Sequence, residues 1–167
     1  RARVASGVLR SVEGLGLAEV LVCMQAEVLG PSHLAPVARR AHAAGWGGRA
    51  TREASGLAGL PPDEAIRRSR ELCDVLLREH ALPRVRGDRS AARTRVALCE
   101  RIVTGRVDPL AAAWVIAATD LLPGSAALSG GFLRAVTGSY PGVASEAEIE
   151  LEVLSRARRT LERARAG

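Results

Sequence analysis

The chain has no lysine, and only four of its 167 residues are aromatic: Trp46, Trp114, Phe132 and Tyr140. So few aromatics remove the interleaved stacking platform that single-stranded nucleic acids use. They also leave a core of small and aliphatic side chains, the material of helix-on-helix packing. Without lysine, all 24 basic residues are arginine. Together with abundant Ala, Gly and Val, this reads as codon usage in a GC-rich bacterial genome. The net charge of +6 is therefore weaker evidence for nucleic acid than a clustered Lys/Arg mixture would be.

Cysteine is scarce too. Cys23, Cys73 and Cys99 leave one thiol over in any intramolecular pairing and show no CxxC or Cys/His spacing, which argues against a disulfide framework or an ordinary zinc site. Reduced, buried thiols in a cytoplasmic protein are the expectation. No apolar run reaches the ~18 residues of a membrane span; the nearest, 108–133, is interrupted by Asp120, Pro123 and a glycine pair. Residues 20–29 fail as a secretory signal because they contain Glu27. The chain opens with Arg1 rather than Met, so a fragment of something longer is expected.

What is present is helical periodicity nearly throughout, with no alternating strand. Leu, Ile, Val and Phe supply 42 residues and Ala another 30, enough apolar material to fold. Helices are expected over 17–29, 36–44, 62–81, 89–104, 109–122, 125–136 and 145–166. Asp88 is read as an N-cap, Asp108-Pro109 as N-cap and N1, and Ser145 with Glu148 as a capping box. Ala92, Val96, Cys99, Ile102 and Val103 form one expected buried face. In the last helix the expected stripe is Ala147, Leu151, Leu154, Ala157, Leu161 and Ala164. The fold class that follows is all-α: one domain over 1–167 with five to seven helices in an irregular orthogonal or bundle-like array. Helix 109–122 sits near its centre, and 1–16 and 45–60 are its least ordered parts.

Most of the positive charge is local, with seven arginines against two acids between residues 81 and 107. Arg84, Arg86, Arg89, Arg93 and Arg95 are the candidate contacts to a partner protein or to phosphates. The C-terminal helix, acidic early and basic late, is explained by the helix dipole alone. Asp120, the isolated acid on an apolar helix, needs a partner if buried; Arg134 or Arg101 is expected, with a polar anchor beside Trp114 as the functional alternative. Cys73 and His80 share a helical face but make only two ligands, so no metal and no cofactor is expected. Neither a nucleophile with its base, nor paired carboxylates, nor a phosphate loop after a strand is legible.

These residues point to a non-enzymatic helical module that binds another protein: an adaptor, immunity-type or effector-associated domain, with self-association also open. A small nucleic-acid-associated regulator using the 81–107 arginines stands second, and a helical enzyme third.

Overall fold

A computed structural model describes residues 1–124, 130–137 and 145–167. Tyr140 and the expected first residues of helix 125–136 lie outside this set. Among the described residues the chain is helical without a strand. In chain order the helices are α1 (Ala2–Ser11), α2 (Leu17–Gln25), α3 (Leu34–Ala43), α4 (Arg49–Ser55), α5 (Pro62–Glu79), α6 (Asp88–Val103), α7 (Pro109–Ala118), α8 (Gly130–Val136) and α9 (Glu146–Ala166). These nine exceed the expected five to seven because α1 and α4 form where glycines discouraged a helix.

The centre is α7. Asp108 caps it, its carboxylate accepting from the Ala111 N–H at 2.8 Å, and Pro109 occupies a position whose N–H would have no partner anyway. Seven of its ten residues are buried, and α1, α2, α6, α8 and α9 all pack against it. A helix apolar on every side belongs inside.

Gly7 explains why α1 belongs to the fold. A Cβ there would lie 2.2 Å from the Trp114 ring, so the missing side chain is what seats the indole of α7 across α1. The same glycine that lowers intrinsic helix propensity permits the contact that stabilises the helix.

A buried charge lies between α2 and α6. Glu19 is fully buried, and the Arg101 guanidinium pairs with it through Nε to Oε1 and through Nη2 to Oε2, the latter at 3.2 Å. A lone carboxylate there would be very costly; paired this way it holds the two helices in one register.

Two expected faces are rotated. In α6 the buried residues are Ala91, Thr94, Arg95, Leu98, Cys99 and Ile102, whereas Ala92 and Val103 are exposed and Val96 is half-buried. Polar Thr94 and Arg95 face inward because partners await them there. In α9 the buried line is Val153, Ala157 and Leu161, flanked by Ile149 and Leu154, while Ala147, Leu151 and Ala164 are exposed. The Ser145–Glu148 capping box forms as read.

Candidate functional site

The five arginines singled out by charge do not form one surface. Arg95 is buried: its Nε donates to Thr119 Oγ1 at 2.8 Å and its Nη2 lies 3.3 Å from Asp120 Oδ1. It is therefore withdrawn from any partner or phosphate. Arg84 pairs with Asp74; of the five, Arg86, Arg89 and Arg93 extend into solvent with no ion pair among the described residues. The described partner of Asp120 is Arg95 rather than Arg101, which is committed to Glu19. Trp114 packs on Gly7. The polar anchor thus joins α6 to the turn after α7, while the indole is seated against α1.

A second buried-polar arrangement was not legible at all. Glu79, the last residue of α5, caps the N-terminus of α4 from about thirty residues away. Its carboxylate accepts from the N–H groups of Gly48 (3.0 Å), Ala50 (2.8 Å) and Thr51 (3.1 Å) and from the Thr51 hydroxyl (2.8 Å). Burial alone would raise its pKa, but these four donors outweigh it and hold the carboxyl below its ordinary value. Since the Thr51 proton goes to Glu79, the contact between Thr51 Oγ1 and His80 Nε2 at 3.1 Å is one in which the imidazole donates. Desolvation lowers the pKa of His80, and Arg101 adds to the effect against the opposing pull of Glu79 and Glu19. The Gly-Trp-Gly-Gly segment is thereby a cradle for an internal carboxylate. A Cβ at Gly47, whose φ is +86°, would lie 2.2 Å from Thr51 Oγ1, and one at Gly48 would lie 2.7 Å from Glu79 Oε1. The oxygen-lined cradle is full, and Thr51 is buried, so it presents nothing to a substrate.

None of the thiols is activated. Cys23 and Cys99 are fully buried; burial pushes Cys99 up to about 12 and raises Cys23 as well, with the Glu19 charge adding to the latter. Cys73 is half-buried and its pKa is raised, again by desolvation. His80 is engaged with Thr51 rather than with Cys73. Among the described residues, no group of three His, Cys, Asp or Glu converges as metal ligands, and no helix is long and apolar enough to cross a membrane.

One surface open to a partner is apolar. A groove of about 390 Å³ runs between the 3₁₀ turn Pro31–His33 with the start of α3 on one side and the 57–60 turn with the start of α5 on the other. Pro31, Ala35, Pro36, Leu57, Leu60 and Ile66 form most of its walls, and no charged side chain lines it. Leu60 and Ile66 are 37% and 39% exposed. Ile66 recurs at helical spacing with Ser69 and Leu72, which are buried, yet stays in the open itself. The facing wall is prolines and alanines, too shallow to cover it.

Compared with protein-family models, with curated proteins and with solved structures, the chain finds no match.

Proposed function

We propose that this chain is a non-enzymatic, cytoplasmic helical module that binds another protein, and that the apolar groove beside Leu60 and Ile66 is where it does so. The observation that carries this reading is the groove's lining: apolar walls with rim residues over a third exposed and no charged group to anchor a polar substrate. Such a surface fits an apolar stretch of a partner chain that presents a few aliphatic side chains, the helix-in-groove mode of recognition. The second polar cradle in the fold is filled by Glu79, which supports a binding role over a catalytic one. The nucleic-acid reading retains only Arg86, Arg89 and Arg93 of its five arginines.

The test is co-purification from the source organism at low and moderate salt with three chains: wild type, Ile66→Asp, and Arg86, Arg89 and Arg93 all changed to Ala. The expected result is a defined protein retained by wild type and by the arginine variant, and lost from Ile66→Asp, whose circular dichroism and melting are unchanged. Light scattering on the isolated chain identifies a second copy as the occupant if Ile66→Asp converts a dimer to a monomer. Retention of the same partner by Ile66→Asp, or nucleic acid captured only by the chain with its arginines intact, overturns the proposal.

A further inference from the structure

The glycine-rich turn that serves Glu79 also carries a tryptophan that the cradle does not use. Trp46 is 50% exposed and lines a cleft of about 230 Å³ between the junction of α1 with α2 and the C-terminal end of α3. Its backbone is fixed. Gly45 ends α3 with a φ of +75°, and the Trp46 N–H returns to the Ala41 carbonyl at 2.8 Å. Arg106 enters the same cleft by the same device at the end of α6: Gly105 has a φ of +70°, and the Arg106 N–H returns to the Arg101 carbonyl at 2.9 Å. Each left-handed glycine closes its helix end and sets the next residue in a defined place. Arg40 of α3 is held too, its Nη2 donating to the Leu15 carbonyl at 3.2 Å on another wall of the cleft.

The charge here is one-sided. Among the described residues Arg40 and Arg106 have no ion-pair partner, and no carboxylate lines the cleft. The two acids nearest its glycines are both spent. Glu19, whose Oε2 would lie 2.6 Å from a Cβ at Gly16, is paired with Arg101. Asp108, close to Gly14, caps α7. Residues 28–52 add four arginines and no acid.

An indole face stacks on another flat ring or on a cation. Two guanidiniums exclude the cation, so the ligand is an aromatic ring that carries negative charge. Two unpaired cations call for two charges, which a phosphate monoester supplies near neutral pH and a phosphodiester or a single carboxylate does not. The fused rings of the indole overlap fully only with a second fused pair, as in a purine. Leu15, Val37 and Ala41 give the cleft an apolar floor. Its volume is below the roughly 300 Å³ at which pockets begin to enclose a ligand, so it suits one ring system with its charged group rather than a peptide segment.

We propose that this cleft binds a purine nucleoside monophosphate, the base stacked on Trp46 and the phosphate held between Arg40 and Arg106. One ring serves one base, so the scarcity of aromatics that removes a strand-long stacking platform leaves this site untouched. It shares no lining residue with the groove at Ile66, and occupancy of one does not require the other.

The experiment titrates AMP into the full chain, with calorimetry for affinity and tryptophan emission for location. Adenosine, inorganic phosphate, phosphotyrosine and an oligoadenylate without terminal phosphates are compared with it. AMP should bind and quench the emission of wild type. Trp46→Phe, whose emission comes from Trp114 alone, should still bind AMP without quenching. Adenosine, which lacks the charge, phosphate, which lacks the ring, and phosphotyrosine, which lacks the fused rings, should each bind about tenfold more weakly or worse. Oligoadenylate should bind no more tightly than AMP. Trp46→Ala and Arg106→Gln, both at exposed positions and with circular dichroism unchanged, should each weaken AMP by about tenfold. Changing Arg86, Arg89 and Arg93 together to Ala should leave AMP binding as it is, which separates this cleft from a diffuse basic surface. Absence of AMP binding at about 10 mM overturns the proposal. So does quenching that persists in Trp46→Phe, affinity unchanged by both Trp46→Ala and Arg106→Gln, or binding of any comparison ligand more tightly than AMP.

Discussion

At the scale of single residues, Arg95 is the position where charge and role part company. Its side chain is only 9% exposed, and its donors are satisfied inside the fold by Thr119 and Asp120. The Thr119 hydroxyl is itself committed, donating to the Ile116 carbonyl at 2.6 Å, so Arg95 Nε completes its coordination. Removing the guanidinium leaves Asp120 and Thr119 short of a donor in a place water reaches poorly. Arg95→Ala should therefore lower stability by about 2–3 kcal/mol, the cost of lost hydrogen bonds to a charged group. Arg93→Ala, two residues away and exposed, should stay within about 0.5 kcal/mol of wild type. Urea unfolding of the two variants checks this, and equal stabilities would show that the Arg95 contacts contribute nothing. Sequence could not separate these two arginines. The partners of Arg95 lie 24 and 25 positions away, and those of Glu19 and Glu79 lie 82 and about thirty positions away. The caps at Asp108 and Ser145 were legible because each closes over three residues.

Between elements, the question is which face each helix turns to its neighbours. Local pattern identified α5, α6, α7 and α9 as helices, since propensity, prolines and caps agree there. It misphased α6 and α9 because alanine is compatible with either side of a helix, so a stripe that includes Ala92, Ala147 or Ala164 can be drawn in more than one register. Leu151, 67% exposed, is the clearest case: α9 turns Val153 inward instead. For α1 the missing information was its partner. Gly7 weakens a helix by propensity, but it meets the Trp114 ring with no room for a methyl group. Gly7→Ala would gain about 0.5–1 kcal/mol of helix propensity and incur about 1–3 kcal/mol of overpacking. The packing cost wins, so the variant should melt lower than wild type, with Trp114 emission shifted to the red as the indole is pushed outward. Adding Trp114→Leu should recover part of the loss by removing the ring that the methyl group strikes. A Gly7→Ala chain as stable as wild type would mean that α1 does not seat on α7 at this residue.

Across the whole molecule, stability should follow pH as a plateau with two descending limbs, because different groups resist a change of protonation on either side. On the acid side His80 is held below its ordinary value of 6.5 and Glu79 below 4.5. Between each ordinary value and the depressed one, the unfolded chain binds a proton that the folded chain refuses, so stability falls as pH falls. The His80 step therefore begins below about pH 6.5 and the Glu79 step below about pH 4.5, each ending at its own folded value. Loss of the Glu79 charge releases three N–H groups at the start of α4, so the lower step should coincide with fraying of that helix. On the alkaline side the order reverses. Cys99 is raised from 9.0 to about 12 and Cys23 is raised as well, so above pH 9 the unfolded chain gives up thiol protons that the folded chain keeps. Stability should then decline with rising pH towards about 12. Urea midpoints measured from pH 3 to pH 11 test the shape, and two variants assign the limbs. Glu79→Gln should be less stable on the plateau and lack the lower acid step, and Cys99→Ala should have a shallower alkaline limb. A midpoint that falls between about pH 7 and pH 9, or an alkaline limb unchanged by Cys99→Ala, would contradict this account of which groups resist a change of protonation.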